Sequence, residues 1–287
     1  MTVKYFSMFS GIGGFEVGLE AASKTTGTQF ECVGYSEIDK HAIQTYERHY
    51  DHEPYGDATI IDPTRIPAID LLVGGFPCQA FSIAGKRKGF ADTRGTLFFD
   101  IARILAHHKP KNFILENVKG LLGHDHGRTF RTIITTLDEL GYFVEWQVLN
   151  SKNHGVPQAR ERIYIVGHHG AEPGSPVFPF TGSNAAHLEE VTQGVSDSQR
   201  IYRPTLARTL KALGGGQGAL TGLYVDEPAS IAAGEVLARR LTPIEAERVQ
   251  GFPDNWTDGH LPARRHRLCG NAVTTNVVRD VAERLYA

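Results

Sequence analysis

The stretch Val3-Lys4-Tyr5-Phe6-Ser7-Met8-Phe9-Ser10-Gly11-Ile12-Gly13-Gly14-Phe15-Glu16 decides the fold of this 287-residue chain. Its apolar run predicts a strand from Val3 to Phe9, and the residues that follow predict a helix from about Gly14 to Ala22. Glycines between a strand and a helix let a ligand approach the backbone N–H groups where the helix begins. The stretch therefore predicts an α/β sheet with a ligand at this turn.

The alternation of strands and helices continues to about residue 167, which is typical of a parallel sheet with crossover helices. The further predicted strands are Phe30 to Ser36, Asp70 to Val73, Asn112 to Leu115, Phe143 to Leu149 and Arg162 to Val166. The further predicted helices run from about Lys40 to His49 and from Thr129 to Leu140. We therefore expect a catalytic and cofactor-binding domain over residues 1–167.

The composition changes after Gly167. Residues 168–238 are rich in Gly, Pro, Ser and Thr and include Gly214-Gly215-Gly216-Gln217-Gly218. We interpret them as a small, loop-rich second domain, and the alternative is an insertion without function. Helical periodicity returns near Thr242-Pro243, and a last helix follows Asn271. Residues 239–287 are thus predicted to return to the catalytic domain.

Composition restricts the class of protein. Hydrophobic residues make up 41% and charged residues 22% of the chain, which is ordinary globular usage. The three cysteines, Cys32, Cys78 and Cys269, lack metal-ligand spacing, so we expect free thiols and no metal. We find no leader or membrane span and expect a cytoplasmic protein without a membrane partner. Because the net charge is -2, a polyanion would have to be held by a local basic face.

Side chains near the predicted strand ends indicate which ligand binds. Glu16 occupies the place of the third glycine of a dinucleotide fingerprint and would repel a pyrophosphate, which disfavours a nicotinamide-dependent oxidoreductase. Glu37 suits ribose hydroxyls, Asp57 suits an adenine amino group, and Phe9 suits stacking on the adenine ring. Such a site fits S-adenosylmethionine. The alternative is that Glu37 and Asp57 are surface carboxylates.

Cys78 follows the turn Gly74-Gly75-Phe76-Pro77 at the carboxyl edge of the predicted sheet. An isolated cysteine is more often a small buried hydrophobic residue, but three other side chains favour a nucleophile. Glu116 ends another strand and is placed to donate a proton, while Arg160 and Arg162 alternate about a third. The set suits attack of a thiolate on carbon 6 of cytosine, with Glu116 at ring N3 and Arg162 at O2. Arg160 is expected nearby, facing outward or toward a phosphate.

Six motifs, in this order, resemble those of the DNA cytosine-5 methyltransferases of bacterial or phage type: Phe9-Ser10-Gly11-Ile12-Gly13-Gly14, Gly75-Phe76-Pro77-Cys78-Gln79, Glu116-Asn117-Val118, Gln158-Ala159-Arg160-Glu161-Arg162, Leu241-Thr242-Pro243 through Gln250-Gly251-Phe252-Pro253, and Gly270-Asn271-Ala272-Val273. The resemblance covers nearly the whole chain except residues 168 to 238. It implies a Rossmann-like S-adenosylmethionine-dependent methyltransferase sheet with a smaller, loop-rich target-recognition domain. The implied reaction methylates carbon 5 of a flipped-out cytosine through a covalent Cys78 adduct at carbon 6, and releases S-adenosylhomocysteine.

The resemblance also implies the roles of individual residues. The implied cofactor contacts are Phe9, Gly11, Gly13, Gly14, Glu37, Ile38, Asp57 and Asn271. Glu116 and Arg162 are implied to contact the flipped base. The implied DNA contacts are Ser82, Lys86, Arg87 and Lys88 in a loop that closes over the DNA, and Arg208, Thr209 and Leu210 in the recognition domain. A run of charges such as Lys86-Arg87-Lys88 is more often only a solvated face, but its position next to Cys78 favours function. Arg264-Arg265-His266-Arg267 is expected to continue the basic character of the recognition domain.

Duplex DNA is the implied partner, together with a cognate restriction endonuclease that acts on the same site. The enzyme is expected to be a monomer in the cytoplasm of a bacterial or phage-infected cell. Two rival interpretations are a tRNA cytosine methyltransferase of similar fold and a catalytically silent DNA-binding regulator. The regulator would be expected to lack Cys78, Glu116 or the glycine turn, and all three are present.

Overall fold

A computed structural model describes the chain with side chains over residues 1–77, 97–170, 175–180, 210 and 239–287, and as backbone alone at 201–202, 207–208, 223–225 and 238. A six-stranded sheet flanked by helices forms its centre, which confirms the predicted α/β class. The first seven strands are β1 (Thr2–Met8), β2 (Gln29–Ser36), β3 (Leu71–Gly75), β4 (Asn112–Val118), β5 (Tyr142–Asn150), β6 (Gln158–Ala159) and β7 (Glu161–His169).

The order of strands in the sheet is β2-β1-β3-β4-β7-β5. The first four strands of this order are parallel, and β7 runs antiparallel to both β4 and β5. The carboxyl ends of parallel strands meet at one edge of a sheet, where α/β proteins place their ligands. Phe9 and Glu37 directly follow β1 and β2, and Glu116 lies near the end of β4, so all three are brought to that edge.

Several element ends differ from the prediction. Strand β3 includes Gly74 and Gly75, which were predicted to end it, and β4 continues through Glu116 and Asn117. Gly75 pairs with Glu116 in the ladder between the two strands. Backbone pairing therefore extends these strands beyond their apolar residues. Strand β7 ends at His169, so the predicted domain boundary at residue 167 falls inside it.

Seven α-helices occur in the described part of the chain. They are α1 (Gly14–Thr26), α2 (Lys40–Tyr46), α3 (Leu97–His108), α4 (Arg128–Glu139), α5 (Pro243–Arg248), α6 (Pro262–Asn271) and α7 (Thr275–Leu285). Helix α5 begins at the predicted Thr242-Pro243, where Thr242 and Glu245 form a reciprocal capping box. Helices α3 and α6 were not predicted.

The sheet has a hydrophobic core on each face, because successive side chains of a strand point to opposite sides. On one face, Phe6 and Phe113 pack with residues of α3 and α4 such as Phe98 and Ile133. The opposite face carries Tyr5, Ile114 and Tyr164 with apolar residues of α1 and α7. A Cβ placed on Gly18 of α1 would lie 2.6 Å from the Cβ of Val278 in α7, so glycine permits this close helix contact.

Part of the recognition region has a sheet of its own. Strands β8 (Ile201–Tyr202), β10 (Leu223–Val225) and β11 (Ala238–Arg239) form three strands in the order β11-β10-β8. Strand β9 (Ala207–Arg208) instead pairs in parallel with β6 of the catalytic domain.

Among the described residues, none of the helices has the length and apolar composition that a membrane-spanning segment needs.

Candidate active site

Glu116 and Arg162 meet at the ligand-binding edge of the sheet. Arg162 lies opposite Val118 in the antiparallel ladder, so it is on the same face as Glu116, two residues away from Val118. Arg162 Nε is 3.0 Å from Glu116 Oε1, and the exposed fractions of the two side chains are 17% and 10%. The structure thus brings together the proton donor and the arginine that the sequence predicts for the base pocket.

The environment of Glu116 favours the protonated carboxyl. Burial raises its pKa, and this effect outweighs the opposing charges of Arg162 and Arg160. Such a group holds its proton to a higher pH than an exposed glutamic acid does. It can therefore donate a hydrogen bond or a proton to a ring nitrogen, while the guanidinium of Arg162 donates to a carbonyl oxygen.

The chain that leads to Cys78 passes directly beside Glu116. A Cβ on Gly75 would lie 3.4 Å from Glu116 Oε2. One residue further on, the Phe76 carbonyl accepts a 2.8 Å hydrogen bond from Nδ2 of Asn117. Asn117 therefore fixes the turn, a role that the sequence interpretation did not assign to it. The predicted sites Cys78, Ser82, Lys86, Arg87 and Lys88 lie outside the described residues.

Arg160 is not an outward-facing partner of Arg162. Only 2% of it is exposed, and its guanidinium donates to the carbonyls of Leu210, Gly270 and Ala272 at 2.9–3.3 Å. The expectation that it faces outward or toward a phosphate is wrong, because both of its Nη groups bond carbonyls inside the protein. Arg160 connects the catalytic sheet to the recognition region and to the end of α6.

The glycine turn and Glu37 form one hydrogen-bonded unit. Gly11 and Gly13 have φ values of 58° and 89°, in the left-handed region that favours glycine. Glu37 Oε2 accepts a 2.9 Å hydrogen bond from the Gly11 amide, and Oε1 accepts from the amides of Ile38 and Asp39 at 2.7 and 2.8 Å. The carboxylate is therefore fixed at the turn, as a ribose ligand would require.

The other predicted cofactor residues differ in conformation and in how far their side chains are exposed. Phe9 has a φ of 55°, which is rare for an aromatic residue, and packs partly against the core. Ile38 is 72% exposed. Asp57 is exposed, and its Oδ1 caps a short helix through the Thr59 amide at 2.9 Å. The side chain of Asn271, which ends α6, is exposed.

Glu16 does not face the glycine turn as a charge that would repel a phosphate. It is fully buried, and its Oε1 accepts a 3.0 Å hydrogen bond from the Tyr46 hydroxyl. Burial raises its pKa to about 7. The argument from Glu16 against a pyrophosphate is therefore wrong, because this carboxyl lies in the interior between α1 and α2.

The recognition region is attached to the catalytic domain next to the base pocket. The Leu210 amide donates a 2.9 Å hydrogen bond to Gln158 Oε1, and Gln158 Nε2 donates to the Val249 carbonyl at 2.7 Å. The side chain of Leu210 is 1% exposed and packs with Val249 and Cys269. Leu210 was expected among the DNA-reading residues, but the structure places it as an anchor. The Arg208 side chain and Thr209 lie outside the description.

Part of the expected basic surface on α6 is internal. Arg265 Nη2 lies 2.8 Å from Oε1 of the fully buried Glu247, and the Arg265 side chain is only 11% exposed. His266 is also buried, with its ring nitrogens bonded to the carbonyls of Pro262 and Leu241. Sequence reasoning missed this because it read the four basic residues as a run, whereas a helix turns them to different sides.

No group of His, Cys, Asp and Glu side chains suited to a metal ion occurs in the described stretches. Glu247, Trp256 and Gln158 are buried polar residues whose roles the sequence interpretation missed. Gln158 has the clearest signal, since it opens the Gln158-Ala159-Arg160-Glu161-Arg162 motif.

The sheet has one strand, β7, that lies antiparallel between β4 and β5. This sheet, with the buried pair of Glu116 and Arg162 at its edge, is that of a Rossmann-like methyltransferase. Residues 3–199 and 233–287 match the family model of the C-5 cytosine-specific DNA methylases, and the chain belongs to this family. It is therefore a DNA methyltransferase acting on carbon 5 of cytosine.

Two curated relatives agree with this assignment, and one solved structure shares the fold. The Type II methyltransferase M.NlaX of Neisseria lactamica is 40% identical, with 99% of this chain and 96% of that protein covered. Type II methyltransferase M.NgoBI of Neisseria gonorrhoeae is 41% identical, with coverages of 96% and 90%. The Entamoeba histolytica methyltransferase EhMeth shares the fold, with a TM-score of 0.75 at 18% identity over 100% of this chain and 98% of that one.

Proposed function

We propose that the chain transfers the methyl group of S-adenosylmethionine to carbon 5 of a flipped-out cytosine in a short duplex DNA site, through a covalent bond between Cys78 and carbon 6. The observation that carries this proposal is the buried Glu116–Arg162 pair beside the turn that leads to Cys78. A target carbon in a stacked duplex is inaccessible, so the base must be rotated out at a cost of about a few kcal/mol.

The pair explains how a thiolate adds to an otherwise unreactive ring. When the Cys78 sulfur bonds to carbon 6, the electron pair of the C5–C6 double bond moves toward carbon 5. A proton from Glu116 at N3, and hydrogen bonds from Arg162 at O2, keep negative charge from accumulating on the ring. The raised pKa of Glu116 keeps that proton available. After methylation, carbon 5 loses its proton, the C6–S bond breaks, and the thiolate is restored.

The glycine turn fits S-adenosylmethionine, which supplies an electrophilic methyl group when bound. Its ribose hydroxyls would donate to the Glu37 carboxylate, whose geometry is fixed by three backbone amides. The exposed Ile38 offers an apolar surface to an adenine ring, and Asp57 offers a carboxylate to its amino group. Phe9, Gly11, Gly13 and Gly14 would line the same turn. Asn271, whose side chain is exposed at the end of α6, is proposed as a further contact.

DNA would be held by local basic residues because the net charge of the chain is -2. We assign phosphate contacts to Ser82, Lys86, Arg87 and Lys88, and base reading to Arg208 and Thr209. Arg160 and Leu210 would support this surface from inside. The Type II methyltransferase relatives support a cognate restriction endonuclease that acts on the same site. We propose in addition that the chain acts as a monomer.

A transfer assay with methyl-labelled S-adenosylmethionine tests the proposal. Wild-type protein should label unmethylated duplex DNA, and bisulfite sequencing of DNA from expressing cells should identify one short site. Cys78→Ala should abolish transfer but retain S-adenosylhomocysteine binding, whereas Cys32→Ala is the matched control with a half-buried thiol. Robust methylation by Cys78→Ala would contradict the mechanism. A preference for tRNA over duplex DNA would contradict the substrate.

A further inference from the structure

The indole of Trp256 is hydrogen-bonded to the glycine turn from the interior. Its Nε1–H donates to the carbonyl of Ile12 at 2.8 Å, and Ile12 lies between Gly11 and Gly13. Trp256 itself is buried, with 9% of its surface exposed. The bond therefore restrains the backbone of the turn at Ile12, next to Gly11, whose amide donates to the Glu37 carboxylate.

The position of the indole is in turn determined by its aromatic neighbours. The ring of His49 stacks on it with a centroid distance of 3.6 Å and an interplanar angle of 7°. His49 Nε2 is also 2.8 Å from the Trp256 carbonyl. Phe252 packs against the indole at 5.5 Å and would be 3.4 Å from a Cβ on Gly14. The indole thus has little freedom to move away from Ile12.

Glu247 anchors the loop that carries Trp256. This carboxylate is fully buried and accepts 2.8 Å hydrogen bonds from the amides of Asn255 and Thr257, the two residues that flank Trp256. The Thr257 hydroxyl and the guanidinium of Arg265 donate to the same carboxylate. A buried carboxylate is tolerated when it is paired and hydrogen-bonded in this way, and it then holds its donors in one geometry.

We propose that Trp256, anchored by Glu247, is a positioning residue for the cofactor: its indole N–H holds the glycine turn in the conformation that binds S-adenosylmethionine. The proposal rests on the proposed function of that turn. Among the described residues, the printed ring and side-chain contacts of Trp256 are to Ile12, His49, Tyr50 and Phe252 and do not include the Glu116–Arg162 pair, so loss of the indole should weaken cofactor binding while DNA binding is retained. A residue needed only for folding would lower both affinities.

Calorimetry with S-adenosylhomocysteine provides the first measurement. Trp256→Phe keeps an aromatic ring but lacks the N–H donor, and we expect its Kd to rise by about fivefold to tenfold. Its affinity for duplex DNA and its melting temperature should stay close to the wild-type values. Trp146→Phe is the matched control, because Trp146 is the only other tryptophan in the chain and is 46% exposed on β5.

The two tryptophans also permit a direct spectroscopic test. Protein labelled with ¹⁵N-tryptophan should give two indole N–H resonances, which the two Phe variants assign. S-adenosylhomocysteine should shift the Trp256 resonance and leave that of Trp146 in place. The inference is wrong if Trp256→Phe binds the cofactor with unchanged affinity, or if the Trp256 resonance of the wild-type protein does not shift. Either result leaves the proposed function of the chain intact. Failure of the wild-type protein to bind S-adenosylhomocysteine overturns the proposed cofactor site and this inference with it.

Discussion

Arg162 Nε lies 3.0 Å from Glu116 Oε1 in a pair with little solvent access. Arg160, which lies between β6 and β7, is instead directed into the interior and bonds three backbone carbonyls. The two arginines of one motif therefore have different roles. Arg162 pairs with Glu116 in the proposed base pocket, and Arg160 holds the surrounding segments together.

Replacing Arg162 by alanine should impair chemistry more than folding. We expect kcat/KM to fall by about 100-fold or more, because the variant lacks the donor that would stabilise the developing charge at O2. Lys119→Ala is the control. Lys119 pairs with Glu161 at the same distance of 3.0 Å, but with 55% of its side chain exposed, and surface pairs of this kind contribute little. Steady-state kinetics on duplex DNA compares the two variants, and equal losses would argue against a special role for Arg162.

Arg160→Ala, in contrast, should impair folding stability more than catalysis. A buried acceptor that is left without its hydrogen-bond partner destabilises a protein by about 1–3 kcal/mol. The variant leaves the carbonyls of Leu210, Gly270 and Ala272 without their donor. Chemical denaturation should therefore show a large loss for Arg160→Ala and a smaller one for Arg162→Ala. A more stable Arg160→Ala protein would contradict the proposed structural role.

Glu116→Gln should change how the free energy of unfolding depends on pH. The pKa of Glu116 is raised in the folded state. Glu116 therefore stabilises the folded protein at a pH below its unfolded-state pKa, and this stabilisation is lost as the pH rises through the folded-state pKa. Glutamine does not titrate. The variant should therefore gain stability relative to the wild type as the pH increases, which denaturation curves at a series of pH values measure. The opposite trend would mean that Arg162 lowers the pKa more than burial raises it.

Glu16 offers a second titration in a different part of the fold. Its pKa is raised by burial to about 7, so the wild type should lose stability between the ordinary glutamate pKa and about pH 7. The full loss is on the order of 3 kcal/mol. Glu16→Gln retains an acceptor for Tyr46 and should remove this loss. Glu139→Gln, at an exposed position of α4, controls for the change in net charge. An unaltered pH profile in Glu16→Gln would contradict a titrating Glu16.

The sequence predicts the strands of the sheet well because their apolar runs are short, separated by turns and end in chemically distinctive residues. It also predicts that Glu116 and Arg162 meet, because residues at the carboxyl edge of one sheet are neighbours. It does not predict which arginine of the motif is buried, since alternation would place residues two apart on the same side of a strand, whereas Arg160 lies between β6 and β7 and belongs to neither. That choice depends on Leu210 and Gly270, which are distant in sequence.

Three other misses have related causes. Helix α6 shows little hydrophobic periodicity in the sequence, because it contains several basic residues and its buried side includes the polar His266 as well as Leu268. The glycine motif alone predicts that Glu16 faces a ligand, but the side chain is buried and accepts a hydrogen bond from Tyr46 on α2. Glu247 is unremarkable in sequence and becomes a buried anchor only through Asn255, Thr257 and Arg265. Each case depends on tertiary partners that local patterns do not contain.

Trapping the covalent intermediate tests the assignment of Cys78 most directly. A duplex with 5-fluorocytosine at the methylated position, together with S-adenosylmethionine, should react once, because fluorine cannot leave carbon 5 as a proton does. Peptide mass spectrometry should then find the DNA adduct on Cys78. An adduct on Cys32 or Cys269, or methylation of normal DNA without any trapped adduct, would contradict the account.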